Sequence, residues 1–166
     1  MTPQAAHLAA IREVLLRKTW KLATAESCSG GLLAHWITAL PGCSAWYCGG
    51  VVAYADTTKS ALLQVPPATI ERHGAVSRPV AMAMAQGACA QIPEADIAVS
   101  ITGIAGPDGG RPGKPVGLVY IGVATADGFC QAYQKQFQGT RTEIQIAASN
   151  VALEMVYNAL SEIDGS

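Results

Sequence analysis

The sequence predicts an α/β fold, a three-layer α/β/α sandwich around a mixed β-sheet. Segments with helical spacing of apolar residues alternate with short β-rich runs over roughly the first hundred residues. Two strand-like runs then follow one another across a turn, which adds an antiparallel hairpin to the sheet. Half of the 166 residues are apolar and 14% are charged, enough apolar surface to bury a sheet under helices on both faces.

Each element has a local cause. Thr2-Pro3 followed by Leu8, Ile11, Val14 and Leu15 predicts a capped amphipathic helix, and residues 20–25 read as a short strand. Ser29-Gly30-Gly31 opens a second helix, in which Leu32, Leu33, Trp36, Ile37 and Leu40 keep helical spacing until Pro41-Gly42 stops it. One helical turn is expected to start at Ser44, with a strand over residues 51–54. Asp56 is expected to cap a helix ending at Leu63, and residues 66–73 form a short helix closed by Gly74. Ser77-Arg78-Pro79 starts a helix that runs to about Ile92. Residues 96–102 are apolar and β-rich, a buried strand, while the glycines and prolines of 103–114 predict an irregular loop. Residues 116–125 and 129–137 pair as strands around Ala126-Asp127-Gly128. Thr140 and Glu143 match a capping box for a long last helix, with Ile144, Ala148, Val151 and Met155 on one face.

Composition narrows the function. The net charge is −1 and no basic block occurs, which disfavours a nucleic-acid partner. No apolar run approaches a membrane span, and residues 1–10 lack the features of a signal peptide, so no membrane partner and a cytoplasmic location are expected. The five cysteines (Cys28, Cys43, Cys48, Cys89, Cys130) are odd in number and form no C-x-x-C pair, which suits free thiols in a reducing compartment. His7, His35 and His73 stand far apart, so no metal is expected. The length suits a single domain over residues 1–166.

Five segments could carry chemistry. Thr24-Ala25-Glu26-Ser27-Cys28-Ser29-Gly30-Gly31 lies between a strand and a helix N-terminus, where free N–H groups and the helix dipole favour an anion; a plain strand–helix turn with Ser29 as cap is the competing reading. Lys59 follows Asp56 by three residues. In the first turn of a helix, and buried, its amine would be pushed towards the neutral form that can act as a general base. Ser44 and Lys59 bracket one strand, and a serine without a histidine partner needs such a base. Tyr54 ends that strand and could hydrogen-bond either group. The run from Ser100 to Gly110, which includes Thr102, Gly103 and Gly106, begins at the carboxyl end of a buried strand, where α/β sheets bind ligands, and its glycines could expose backbone donors to an oxyanion or a nucleotide. Arg141, opening the last helix, is placed to clamp a phosphate.

Ala25-Glu26-Ser27-Cys28-Ser29-Gly30-Gly31, Gly49-Gly50-Val51-Val52-Ala53-Tyr54, Gly74-Ala75-Val76-Ser77, the run from Ser100 to Gly110, and Lys114-Pro115-Val116-Gly117 occur in order and in register. In these motifs the sequence resembles the CinA C-terminal domain family, whose stand-alone members are nicotinamide-nucleotide amidohydrolases. The resemblance spans roughly residues 5 to 160 and implies the same sandwich. It also implies deamidation of nicotinamide mononucleotide to nicotinate mononucleotide and ammonia, in pyridine nucleotide recycling, without a cofactor. The family's nucleophilic serine falls on Ser44, its lysine base on Lys59 and its assisting tyrosine on Tyr54. Ser27 is the alternative nucleophile. Ser27, Thr102 and Arg141 fall on positions of the family's motifs, and with Ser29, Gly30, Gly31, Gly103 and Gly106 of the glycine-rich segments they are the expected substrate-binding residues. A homo-oligomer is implied by analogy. The chain departs from the family pattern at Ala55-Asp56-Thr57-Thr58 and at Cys43, where a serine is common. Longer members carry an additional N-terminal domain for which this length leaves no room. The competing functional readings are a non-catalytic pyridine-nucleotide-binding module and an amidase for a different amide.

Overall fold

The structure, a computed structural model, describes residues 1–165. It is an α/β/α sandwich. Its strands are β1 (Leu22–Glu26), β2 (Tyr47–Val52), β3 (Ile97–Gly103), β4 (Leu118–Thr125) and β5 (Cys130–Gln136). Its helices are α1 (Pro3–Lys18), α2 (Leu32–Thr38), α3 (Asp56–Leu63), α4 (Pro67–His73), α5 (Arg78–Gln91) and α6 (Arg141–Asp164), with a 3-10 turn at Cys43–Ala45. The sheet runs β2-β1-β3-β4-β5, with β2, β1 and β3 parallel and β4 and β5 antiparallel. Among the described residues no helix is long and apolar enough to cross a membrane.

The period-2 alternation of the strands sorts the two faces. Ile97, Val99 and Ile101 of β3 and Val119, Ile121 and Val123 of β4 pack under α1, α2 and α6. Ala23, Ala25 and Ala98 face the other way, towards α3 and α5. That second face is built of small residues, so α5 lies close to the sheet. Ser100 Oγ donates to Ala81 O at 2.6 Å, and a Cβ on Gly122 would stand 2.4 Å from the same oxygen. One layer further out, a Cβ on Gly87 of α5 would stand 1.9 Å from Leu63 O. Helix α3 is thus clamped against α5 at its last residue. Lys59 lies one turn before Leu63 on the same buried face and is aimed inward by that contact.

Two local expectations are corrected. The strand expected at 51–54 is Tyr47–Val52, because the two glycines belong inside it. A Cβ on Gly50 would stand 2.2 Å from Thr24 Oγ1 and 2.6 Å from Tyr47 Oη, and those two hydroxyls bond each other at 2.8 Å. Tyr54 therefore lies past the strand. Asp56 is the first residue of α3 rather than its cap. Ala55 holds the cap position, and no side chain bonds there. Other caps follow the sequence: Thr2, Ser77 and Thr140 accept from Ala5 N, Val80 N and Glu143 N.

Gly87→Ala sets two effects against each other. An alanine in a helix interior gains up to about 1 kcal/mol over glycine, but here its methyl meets backbone, and overpacking costs about 1–3 kcal/mol. The clash is expected to win, so that the Tm measured by calorimetry falls by several degrees. A rise in Tm would show that α3 is not held by this contact.

Candidate active site

Strand β1 is buried throughout and carries no charge until its last residue, Glu26, which is 1% exposed. A carboxylate in that position must find donors, and the next helix supplies them. Glu26 accepts from Leu33 N at 2.9 Å, Ala34 N at 3.0 Å and Ser29 Oγ at 2.8 Å. The helix dipole of α2 adds to that attraction. Gly30 and Gly31 turn the chain through φ of +64° and +99° to make the fold-back possible. An anion does occupy the start of α2, as its sequence suggests, but that anion is the chain's own carboxylate. Ser29, Gly30 and Gly31 therefore build the turn and do not line the cleft described below. Nothing in the sequence reading singled out Glu26. Its signal was available: a charge at the end of an otherwise buried strand, one turn before unpaired helix N–H groups.

The turn carries Ser27 at the carboxyl end of the sheet, 7% exposed, with its N–H on Ile101 O. Lys59, 1% exposed, approaches from α3 and donates from Nζ to Ser27 Oγ at 3.0 Å and to Tyr54 O at 2.9 Å. Burial drives the Lys59 amine below its ordinary value, while the nearby Asp56 pulls the other way. The cause is therefore desolvation more than the helix start invoked from sequence.

Ser27, Tyr54, Asp56, Lys59, Thr102, Gly103, Gly106 and Arg141 line one cleft of about 230 Å³, together with Ala75, Val76 and the 104–109 loop. Thr102 Oγ1 donates to Ala75 O at 2.8 Å, tying β3 to the segment before α5. Arg141 donates to Gly106 O at 2.7 Å and to Tyr54 Oη at 2.8 Å, so its charge closes one side. The Tyr54 phenol, on a residue 59% exposed, serves Arg141, and it is the Tyr54 carbonyl that meets Lys59. The backbone N–H groups of Ala105 and Gly106 make no hydrogen bond within the described residues, leaving donors at the cleft wall. Cys28 also lines the cleft, but burial pushes its thiol up to about 12, which keeps it protonated and a poor nucleophile.

Ser44 is elsewhere. It is exposed in the 3-10 turn that enters β2, while Lys59 follows the exit from that strand. The expectation that both reach one strand end does not hold within one chain. Residues that bracket a six-residue strand stand at its opposite ends, roughly 20 Å apart at 3.3 Å per residue.

Comparison with known proteins places this arrangement. The profile of the CinA C-terminal domain matches residues 4–160. A CinA-like protein of Geotalea uraniireducens (strain Rf4) is 47% identical over 147 residues, which make up 88% of this chain and 34% of that protein. The chain thus spans about a third of the length of the curated relatives it matches. Among solved structures, a competence/damage inducible protein CihA from Agrobacterium tumefaciens superimposes with a TM-score of 0.91 at 37% identity over 97% of both chains. A competence-damaged protein (CinA) superfamily protein from Klebsiella pneumoniae 700603 gives 0.90 at 31%, over 98% of this chain and 99% of that one. The chain belongs to the CinA C-terminal domain family.

Proposed function

We propose that the chain is an amidohydrolase that converts nicotinamide mononucleotide to nicotinate mononucleotide and ammonia, with Ser27 as nucleophile and Lys59 as base. One observation carries the chemistry: a buried amine, driven towards neutrality, stands 3.0 Å from a serine hydroxyl in a cleft. The substrate follows from the motif resemblance.

The neutral Lys59 amine takes the Ser27 proton as Oγ attacks the carboxamide carbon. A tetrahedral oxyanion forms, for which the unpaired backbone N–H groups of Ala105 and Gly106 in the same cleft are the donors. The carbonyl re-forms as the C–N bond breaks, and the Lys59 ammonium returns its proton to the departing nitrogen, which leaves as ammonia. Water, deprotonated by the same amine, then cleaves the ester and frees the carboxylate and Ser27. Arg141 sets the shape and charge of the cleft mouth through Gly106 and Tyr54. Thr102 and Gly103 floor the cleft beside the reacting group.

Ser27→Ala is expected to lower kcat for ammonia release by about a thousandfold or more, with Ser44→Ala within about twofold of wild type. The reverse pattern would move the nucleophile to residue 44.

The buried amine also predicts a pH signature. The folded chain releases the Lys59 proton at lower pH than the unfolded chain, whose lysine titrates near 10.5. Between those two values the unfolded state binds more protons, so stability rises with pH. Lys59→Met removes the desolvation cost and is expected to be more stable than wild type at neutral pH by about 1 kcal/mol. The difference should shrink as pH climbs towards 10.5. Urea unfolding midpoints across that range test it, and a pH-independent difference would mean that Lys59 is not desolvated.

A further inference from the structure

A mononucleotide brings a phosphate, and a phosphate needs cations or unpaired N–H groups. The start of α2 is filled by Glu26, and the Arg141 guanidinium already serves Gly106 O and Tyr54 Oη. A pair of cations next to the cleft has no carboxylate partner among the described residues. Arg111 and Lys114 close a tight turn through mutual backbone hydrogen bonds of 3.0 and 2.9 Å. Their side chains converge over Gly74: a Cβ there would stand 2.7 Å from Lys114 Nζ and 3.4 Å from Arg111 Nη2. Lys114 Nζ is anchored on His73 O at 2.5 Å, at the negative end of α4. Neither side chain forms an ion pair with a carboxylate among the described residues, where the ion pairs involve Arg17, Lys18 and Lys21. Asp108, on the same loop, lines the cleft without pairing to either. Partial burial and the charge of Arg111 both pull the Lys114 amine below its ordinary range, as two like charges do when held together with no anion between them.

The pair also has the right neighbour. Gly74 precedes Ala75, whose carbonyl accepts from Thr102 in the cleft wall. A ligand with its carboxamide at Ser27 would extend past Ala75 towards this corner.

We propose that Arg111 and Lys114 form the subsite for the substrate's phosphate, a proposal that rests on the amidohydrolase reading. The subsite makes the enzyme selective for the phosphorylated nucleotide over its riboside, through binding and not through the chemical step. Gly74 sits at φ +79°, where glycine is favoured, and a side chain there would crowd the Lys114 tip.

The test has an arm without catalysis. Inorganic phosphate titrated into isotope-labelled wild-type protein is expected to shift the amide resonances of Gly74 and Lys114 saturably, and to leave them unmoved in Arg111→Ala/Lys114→Met. Absence of a saturable shift in wild type would overturn the proposal. In the kinetic arm, the double variant is expected to raise KM for nicotinamide mononucleotide by about tenfold or more, with kcat kept and with kcat/KM for nicotinamide riboside unchanged. Arg111→Ala alone, which leaves the Lys114 anchor in place, should give part of that rise. An unchanged KM in the folded double variant would also overturn it. If wild type hydrolyses neither compound, the amidohydrolase reading fails by itself, and the phosphate titration alone decides the subsite.

Discussion

A primary amine enclosed by protein, with a serine hydroxyl and one carbonyl as its hydrogen-bond partners, is the contact on which the rest of this molecule depends. An ammonium buried so deeply loses most of its hydration, and among the described residues no carboxylate bonds Lys59 in return. Burial lowers the hold of the amine on its proton, and in the proposed reaction a neutral amine against a hydroxyl would activate that hydroxyl. A cost in stability and a capacity for chemistry thus come from the same burial.

Holding the contact requires two rigid approaches. Ser27 arrives on a turn that Glu26 locks by binding the start of α2, so the residue next to Ser27 is itself fixed by three hydrogen bonds. Lys59 arrives on a helix pressed against α5 at Gly87, and α5 is in turn pressed against the sheet at Gly122. The small-residue face of the sheet therefore has a functional consequence. With larger side chains there, α5 would stand off, α3 with it, and the amine would withdraw from the serine.

Much of this was legible from local chemistry. The caps at Thr2, Ser77 and Thr140, the hairpin around Asp127-Gly128 and the alternating apolar runs of β3 and β4 are decided by near neighbours in sequence, so the fold class could be read directly. Lys59 was legible as an odd residue for a first helical turn, and Thr102 to Gly106 as a glycine-rich loop at a strand end. Glu26 was passed over because its partners are seven and eight residues away and become donors only when α2 forms. Strand β2 was placed too late because Gly49-Gly50 reads as a turn. Only Thr24 and Tyr47, stacked across the strand pair, show why side chains are excluded there.

By itself the sequence determined the sandwich, the amine in α3 and the loop that floors the cleft, because periodicity, caps and glycines act over a few residues. Tertiary structure alone decided which serine meets that amine. Ser44 and Lys59 are close in sequence yet stand at opposite ends of β2, while Ser27, 32 residues from Lys59, ends the neighbouring parallel strand and shares its exit. Parallel strands gather their carboxyl ends at one edge of the sheet whatever their separation along the chain, and pairing of that kind leaves no local trace.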